Sequence, residues 1–311
     1  MVERPGDLNS PRAPIHRQRR PRRSTIIARR LIALGMLGGG IAAAVWLVSI
    51  ALANVGDSKP KAPPPATLTV LKIVFPEGFT RKQMAQRITA VNAIAKANRG
   101  VDPRLSAKAY LAVTRSSLRP ARFSGDAKRR MLEGFLFPAL YEFTPTTTSK
   151  RLVADQLEAF DRNWKKVKLR YARSKNLTPY DVLIIASMVE AEVSVPGERA
   201  LVAAVIYNRL RARMPLGIDS TIRYALEIPP TKSLTKAQLR NPTPYNTRIH
   251  RGLPPTPIGN PGLASIQAAA HPAAKDYLYF ARRKGKVTHF FTASYEEFVE
   301  FLRRNGYPAP P

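Results

Sequence analysis

The stretch TPYDVLIIASMVEAE, residues 178–192, constrains the fold more than any other part of the chain. Thr178 is suited to cap a helix, Pro179 to its first position, and Asp181 follows where an acid faces the free N–H groups of the first turn. Seven of the eight residues from Val182 to Val189 are apolar, so the helix has no polar face and belongs inside a core. It nevertheless ends in Glu190 and Glu192, and a carboxylate is costly to desolvate. The two glutamates lie about 200° apart around the axis, so they do not share one site. From the residues alone, two roles stay open: a catalytic carboxylate facing a cleft, or an ion pair with Arg199 or Arg209. Those arginines belong to a second helix, predicted over 196–213 behind Pro196, with Leu201, Val202, Val205, Ile206 and Leu210 on one face.

Upstream, Leu71, Ile73 and Phe75 alternate with Val70, Lys72 and Val74 and predict a strand. A turn at 76–78 follows, then a helix capped by Thr80 with Met84, Ile88 and Val91 at helical spacing. This reads as a small α+β module over 67–125, for binding, positioning or support, with nothing catalytic in it. The block LEGFLFPALYEF, residues 132–143, interleaves Phe135, Phe137, Tyr141 and Phe143 with Glu133 and Glu142. Its aromatics suit either stacking on sugar rings or a core strand. A helix is predicted over 150–173, its buried face marked by Leu152, Val153, Leu157, Phe160 and Trp164. Downstream lie a proline-rich segment (228–261), a hairpin turning at Lys284–Gly285, and a last helix over 295–305.

The N-terminus bears on where the chain works. Residues 1–30 hold nine arginines against Glu3 and Asp7 and are proline-rich, the composition of a disordered basic tail. Residues 31–53 run for 23 positions without a charge, enough to span a bilayer at about 1.5 Å per residue. The arginines stop at Arg30, which puts the tail in the cytoplasm and the remainder outside. A cleaved signal peptide is the rival, since Ala51–Leu52–Ala53 has the small-residue pattern of a cleavage site, but the charged region before the apolar run is too long for one. Residues 54–66 form a proline-rich linker. The net charge is +30, and +23 remains once the first 30 residues are removed. On the outer side of a membrane that charge suits anionic lipid or wall polymer rather than nucleic acid, unless it is simply a basic surface.

Several chemistries are excluded. The chain has no cysteine, hence no disulfide, thiolate metal site or cysteine nucleophile. Its four histidines, His16, His250, His271 and His289, show no metal-binding spacing, and neither a G-x-S-x-G elbow nor a phosphate-binding glycine loop occurs. No metal or cofactor is expected.

An ordered series of blocks resembles the YceG-like (MltG) family of membrane-anchored endolytic murein transglycosylases. The blocks are LEGFLFPALYEF, ASMVEAEVSVPGERALVAAVIYNRL, MPLGIDSTIRYAL, NPTPYNTRIHRGLPPTPIGNPGLASIQAAAHPAAKDYLYFA and HFFTASYEEF, covering roughly 67–307. The resemblance implies an α+β fold with a single transmembrane helix, a LysM-like module over 67–125 and a catalytic domain over 126–307. It implies that Glu190 is the catalytic acid. It also places Asn208, Asp219, Thr221, Tyr245 and Asn246 in or around the substrate cleft, with Asp219 and Asn246 as the foremost polar contacts. Two positions depart from the family pattern: Gly217, where a glutamine is usual, and Arg248, where a tyrosine is usual.

The implied reaction accounts for the buried carboxylate. Cleaving the β-1,4 link after N-acetylmuramic acid (MurNAc) needs a proton on the leaving oxygen, and a carboxyl against an apolar wall holds one near neutral pH. The muramyl C6 hydroxyl then attacks within its own sugar, so no second carboxylate is required to activate water. The implied partners are peptidoglycan glycan strands, the membrane and peptidoglycan synthases. A non-catalytic wall-binding scaffold of the elongation or division machinery is the alternative.

Overall fold

The structure, a computed structural model, describes residues 69–115, 120, 123 and 131–307. The tail, the 31–53 stretch and the linker lie outside these residues; among those described, no helix is long and apolar enough to cross a membrane.

The first strand, β1 (Leu71–Val74), buries Leu71 and Ile73 and turns Lys72 and Val74 to solvent, as alternation requires. After the turn, α1 (Arg81–Arg99) starts from a reciprocal capping box between Thr80 and Gln83 and stops at the left-handed Gly100. A short helix, α2 (Ala107–Val113), precedes β2 (Leu140–Phe143). The two strands pair antiparallel, Leu71 opposite Phe143 and Val74 opposite Leu140. This ladder crosses residue 125, the expected end of the first module, so that module and the LEGF block share one core. Phe135, Tyr141 and Phe143 are buried, and Phe123, Phe135, Phe160 and Trp164 stack edge to face within it. The aromatic block is therefore core, not a sugar-stacking surface.

The helix predicted over 150–173 is broken in two, α3 (Ser149–Trp164) and α4 (Arg170–Ser174). The break follows Lys165, the C-cap of α3, whose side chain pairs with Asp161 one turn back. There the amides of Lys166 and Val167 bond three residues back, to Asn163 and Trp164, and end the helix. Val167 and Leu169 thereby turn onto the core.

The central helix α5 (Pro179–Glu192) opens as predicted: Thr178 accepts from the Asp181 amide, and the Asp181 carboxylate accepts from the Thr178 amide. Val182, Leu183, Ile184, Ile185, Met188 and Val189 are each at most 3% exposed. At about 1.5–3 kcal/mol per buried side chain, this helix is a main source of stability. A 3-10 turn (Pro196–Glu198) leads into α6 (Arg199–Arg211). Next come α7 (Asp219–Leu226) and α8 (Lys236–Leu239), then α9 (Leu263–Ala270), which packs on both α5 and α6. The chain finishes with β3 (Tyr279–Arg282), antiparallel to β4 (His289–Thr292), and α10 (Tyr295–Arg304). Gly285 turns the hairpin at φ +71°. Among the described residues the fold is mixed α+β: helices around a buried central helix, with two small antiparallel sheets.

Candidate active site

Glu190 sits where α5 leaves the core, its side chain 7% exposed. Its Oε2 accepts from the backbone N–H of Gly262 at 2.9 Å, the residue that opens α9. Its Oε1 lies 3.8 Å from Nη2 of Arg199, at the start of α6. The surroundings are thus polar on one side, where the implied reaction led to the expectation of an apolar wall. The same Nη2 lies 3.9 Å from Oε2 of Glu77, half-exposed in the turn after β1. Arg199 is held for this by a hydrogen bond from Nε to Ser265 Oγ at 3.1 Å. Of the two arginines open as partners for a glutamate, Arg199 is the one at Glu190. Arg209 bonds the carbonyls of Leu278, Pro215 and Leu216 and steadies the hairpin.

Two turns clasp each other to build this seat. Gly78 donates to the Asn260 carbonyl at 2.8 Å, and Asn260 donates back to the Phe79 carbonyl at 3.0 Å. The approach needs glycine: Gly78 has φ +79°, and a Cβ on Gly259 would fall 2.5 Å from the Gly78 oxygen. Beneath it, the fully buried Asn260 side chain accepts from Gly134 and Leu136 and donates to the Phe79 carbonyl and Glu133. Glu133, buried by the LEGF block, also accepts from the Arg81 amide and the Tyr224 hydroxyl. Burial is the main cause that pushes its carboxyl up to about 7, against these hydrogen bonds and the Arg81 charge.

The other glutamate faces elsewhere, as its place on the helix requires. Glu192 lies against Asp219 and Ser220 at the start of α7, and burial first, then the Asp219 charge, raise its carboxyl above the usual range. Asp219 is itself paired with Arg248, Nε to Oδ1 at 2.6 Å. The two departures from the family pattern therefore meet in one place. Gly217, at φ +65°, donates to the Thr247 carbonyl at 2.9 Å, next to the Arg248–Asp219 pair.

The remaining expected site residues are spread over the domain. Thr221 is fully buried, donating to the Ile218 carbonyl and lying 3.2 Å from the Thr247 hydroxyl. Asn246, also fully buried, donates to the Leu239 and Asn241 carbonyls and accepts from the Arg248 amide. Tyr245 bonds Thr256 at 2.7 Å and packs on Tyr224. Asn208, at the far end of α6 from Arg199, holds the Lys275 and Tyr277 carbonyls. These contacts position the loops, and the Asp219 carboxylate is half-exposed. Sequence reasoning missed Glu77. Its signal was the Pro76–Glu77–Gly78 turn, which places an acid at a tight bend but says nothing of what faces it.

The sequence model of the YceG-like family matches residues 58–304. A protein of Streptococcus pneumoniae (strain R6) named endolytic murein transglycosylase is 34% identical over 253 residues, which is 75% of this chain and 43% of that protein. One of Bacillus subtilis (strain 168) with the same name is 37% identical over 168 residues, covering 53% of this chain and 46% of that protein. The chain therefore spans less than half the length of these curated relatives. The crystal structure of a YceG-like protein from Listeria monocytogenes superposes with a TM-score of 0.61 at 29% identity, over 73% of this chain and 74% of that one. A match over most of the chain, from the linker to the last helix, shows that this protein belongs to the YceG-like family.

Proposed function

We propose that this protein is an endolytic murein transglycosylase, cutting peptidoglycan strands at the β-1,4 bond between MurNAc and N-acetylglucosamine. The observation that carries the reading is the seat of Glu190: one carboxyl at the end of a buried helix, held by the Gly262 N–H and faced by Arg199. The names of the relatives support the same chemistry.

In this reaction Glu190 gives its proton to the leaving oxygen as the C1–O bond breaks. The resulting carboxylate takes the proton of the C6 hydroxyl, whose oxygen bonds to C1 and closes a 1,6-anhydro ring. The Gly262 N–H and Arg199 steady that carboxylate between the two transfers. The attacking oxygen is already part of the sugar, so proximity replaces a water-activating base. No metal or cofactor enters.

Product ends test this reading. The full chain, in detergent and in water enriched in heavy oxygen, is given long glycan strands and the new ends are weighed. Anhydro ends free of heavy oxygen are expected. Reducing ends carrying heavy oxygen would make the enzyme a muramidase, and Glu77 rather than Asp219 would be the carboxylate placed to activate water. Co-sedimentation with the wall and no release would favour the scaffold role.

We further propose that residues 31–53 anchor the protein in the plasma membrane, with the tail cytoplasmic, the domain after the linker outside, and peptidoglycan synthases as neighbours. The support is the arginine asymmetry around an uncharged 23-residue run. Protease added to intact spheroplasts should digest the domain; a protected domain would reverse the orientation, and a freely released one would mean cleavage after Ala53.

A further inference from the structure

A general acid must hold a proton before it can give one, and the groups around a carboxyl differ in which of its two forms they suit. The Gly262 N–H donates to its carboxylate, the N-terminal end of α9 points at it, and Arg199 lies 3.8 Å away. Each of these favours the charged form. The central helix adds no titratable group here, because Glu192 is turned toward Asp219 and Ser220. Glu198, next to Arg199, is taken by His289, whose Nδ1 lies 2.6 Å from one oxygen and whose backbone N–H donates to the other. Helix α9 carries no ionisable side chain. One neighbour favours the proton: Glu77.

The position of Glu77 is built. The clasp between the 76–79 and 259–262 turns fixes its backbone. Its carboxyl lies so close over Gly262 that a Cβ there would fall 1.8 Å from Oε1. That glycine is the one whose N–H holds Glu190. Two carboxylates thus flank one glycine and share one guanidinium, which Ser265 orients toward both.

We propose that Glu77 is a positioning residue of the active site, sharing Arg199 with Glu190 and, through its charge, setting the pH dependence of the pair. This rests on Glu190 being the acid of the proposed reaction. Two negative charges against one positive leave the last proton hard to remove, and the coupling is reciprocal. The Glu77 carboxyl is itself raised above its ordinary value, by burial first and then by the Glu190 charge, with Arg199 opposing. If Glu77 were neutral, Arg199 would serve Glu190 alone.

The test compares the full chain with Glu77→Gln and Glu77→Asp in detergent. For Glu77→Gln, the alkaline limb of the kcat/KM profile should move to lower pH by about one unit, because an adjacent carboxylate has been removed. Above the limb this is a loss of about tenfold, larger than any loss below it, with KM and Tm unchanged. Glu77→Asp keeps the charge and should keep the profile. An unmoved limb, or an equal loss at every pH, would overturn the proposal. The Glu190 carboxyl is also followed by carbon-13 labelling, assigned by its disappearance in Glu190→Gln. In Glu77→Gln its titration curve should move to lower pH, and an unmoved curve would overturn the proposal without any rate being measured. A moved curve in a chain that releases no anhydro ends would uphold the shared proton and remove the reaction.

Discussion

Glu190→Gln should lower strand cleavage by about a thousandfold, the scale expected when a general acid–base group is lost, while Tm stays close to that of the wild type. The amide oxygen can still accept from the Gly262 N–H, and Arg199 keeps Glu77 as a counter-charge, so neither buried donor loses its partner. What disappears is a transferable proton and a carboxylate to take it back. Glu192→Gln should retain most of the activity. That side chain sits against Asp219 and Ser220, and removing its charge there relieves a repulsion with Asp219. Release of soluble fragments from purified peptidoglycan measures both variants, with thermal unfolding as the control. Equal losses from the two would take the acid's role away from Glu190.

What the sequence made legible was local. The start of the central helix follows from Thr178, Pro179 and Asp181, because a capping box is decided within four residues. The opposed directions of Glu190 and Glu192 follow from helical geometry alone. The first strand, the α1 cap, the hairpin turn and the last helix are equally short-range. The break after Trp164 was missed because apolar periodicity continues past it; the packing of Val167 and Leu169 on the core goes with the turn that ends the helix.

The site itself was half legible. The family resemblance selected Glu190, but its surroundings depend on contacts 72 positions away at Gly262 and across the fold at Glu77. No periodicity reports such contacts. An apolar wall was the natural expectation for a glutamate ending an apolar helix, and it misses the backbone N–H and the guanidinium brought in by other elements. Thr221 and Asn246 show the converse. Polar residues in matching blocks suit a substrate cleft, yet here both are buried and bonded to their own loops.

Asn260→Ala should cost about 3–5 kcal/mol, making it the largest stability loss expected from a polar truncation near the site. The side chain is fully buried and makes four hydrogen bonds between three segments distant in sequence. Alanine leaves the Gly134 and Leu136 amides without those partners, at about 1–3 kcal/mol for each buried group left unsatisfied, while the Phe79 carbonyl keeps the Asn260 backbone N–H. For a domain of this size that corresponds to a Tm lower by roughly 10 °C. Removing the exposed Lys72–Glu142 pair should cost less than about 1 kcal/mol. The loss should also depend on pH. Glu133 holds its proton to about 7 in the folded protein, above its unfolded value, so its contribution to stability is full at low pH and is lost as pH rises through 7. The Asn260 amide donates to that carboxylate, and such a bond matters most once the group is charged. The penalty at pH 8 should therefore exceed the penalty at pH 5. Because the Asn260 backbone also clasps the turn that carries Glu77 and leads to Gly262, cleavage should fall even well below the lowered Tm. Chemical denaturation at the two pH values, with cleavage assayed at low temperature, measures all three effects. A loss under about 1 kcal/mol, flat with pH, would mean that the turns are held by their backbone bonds and glycines alone.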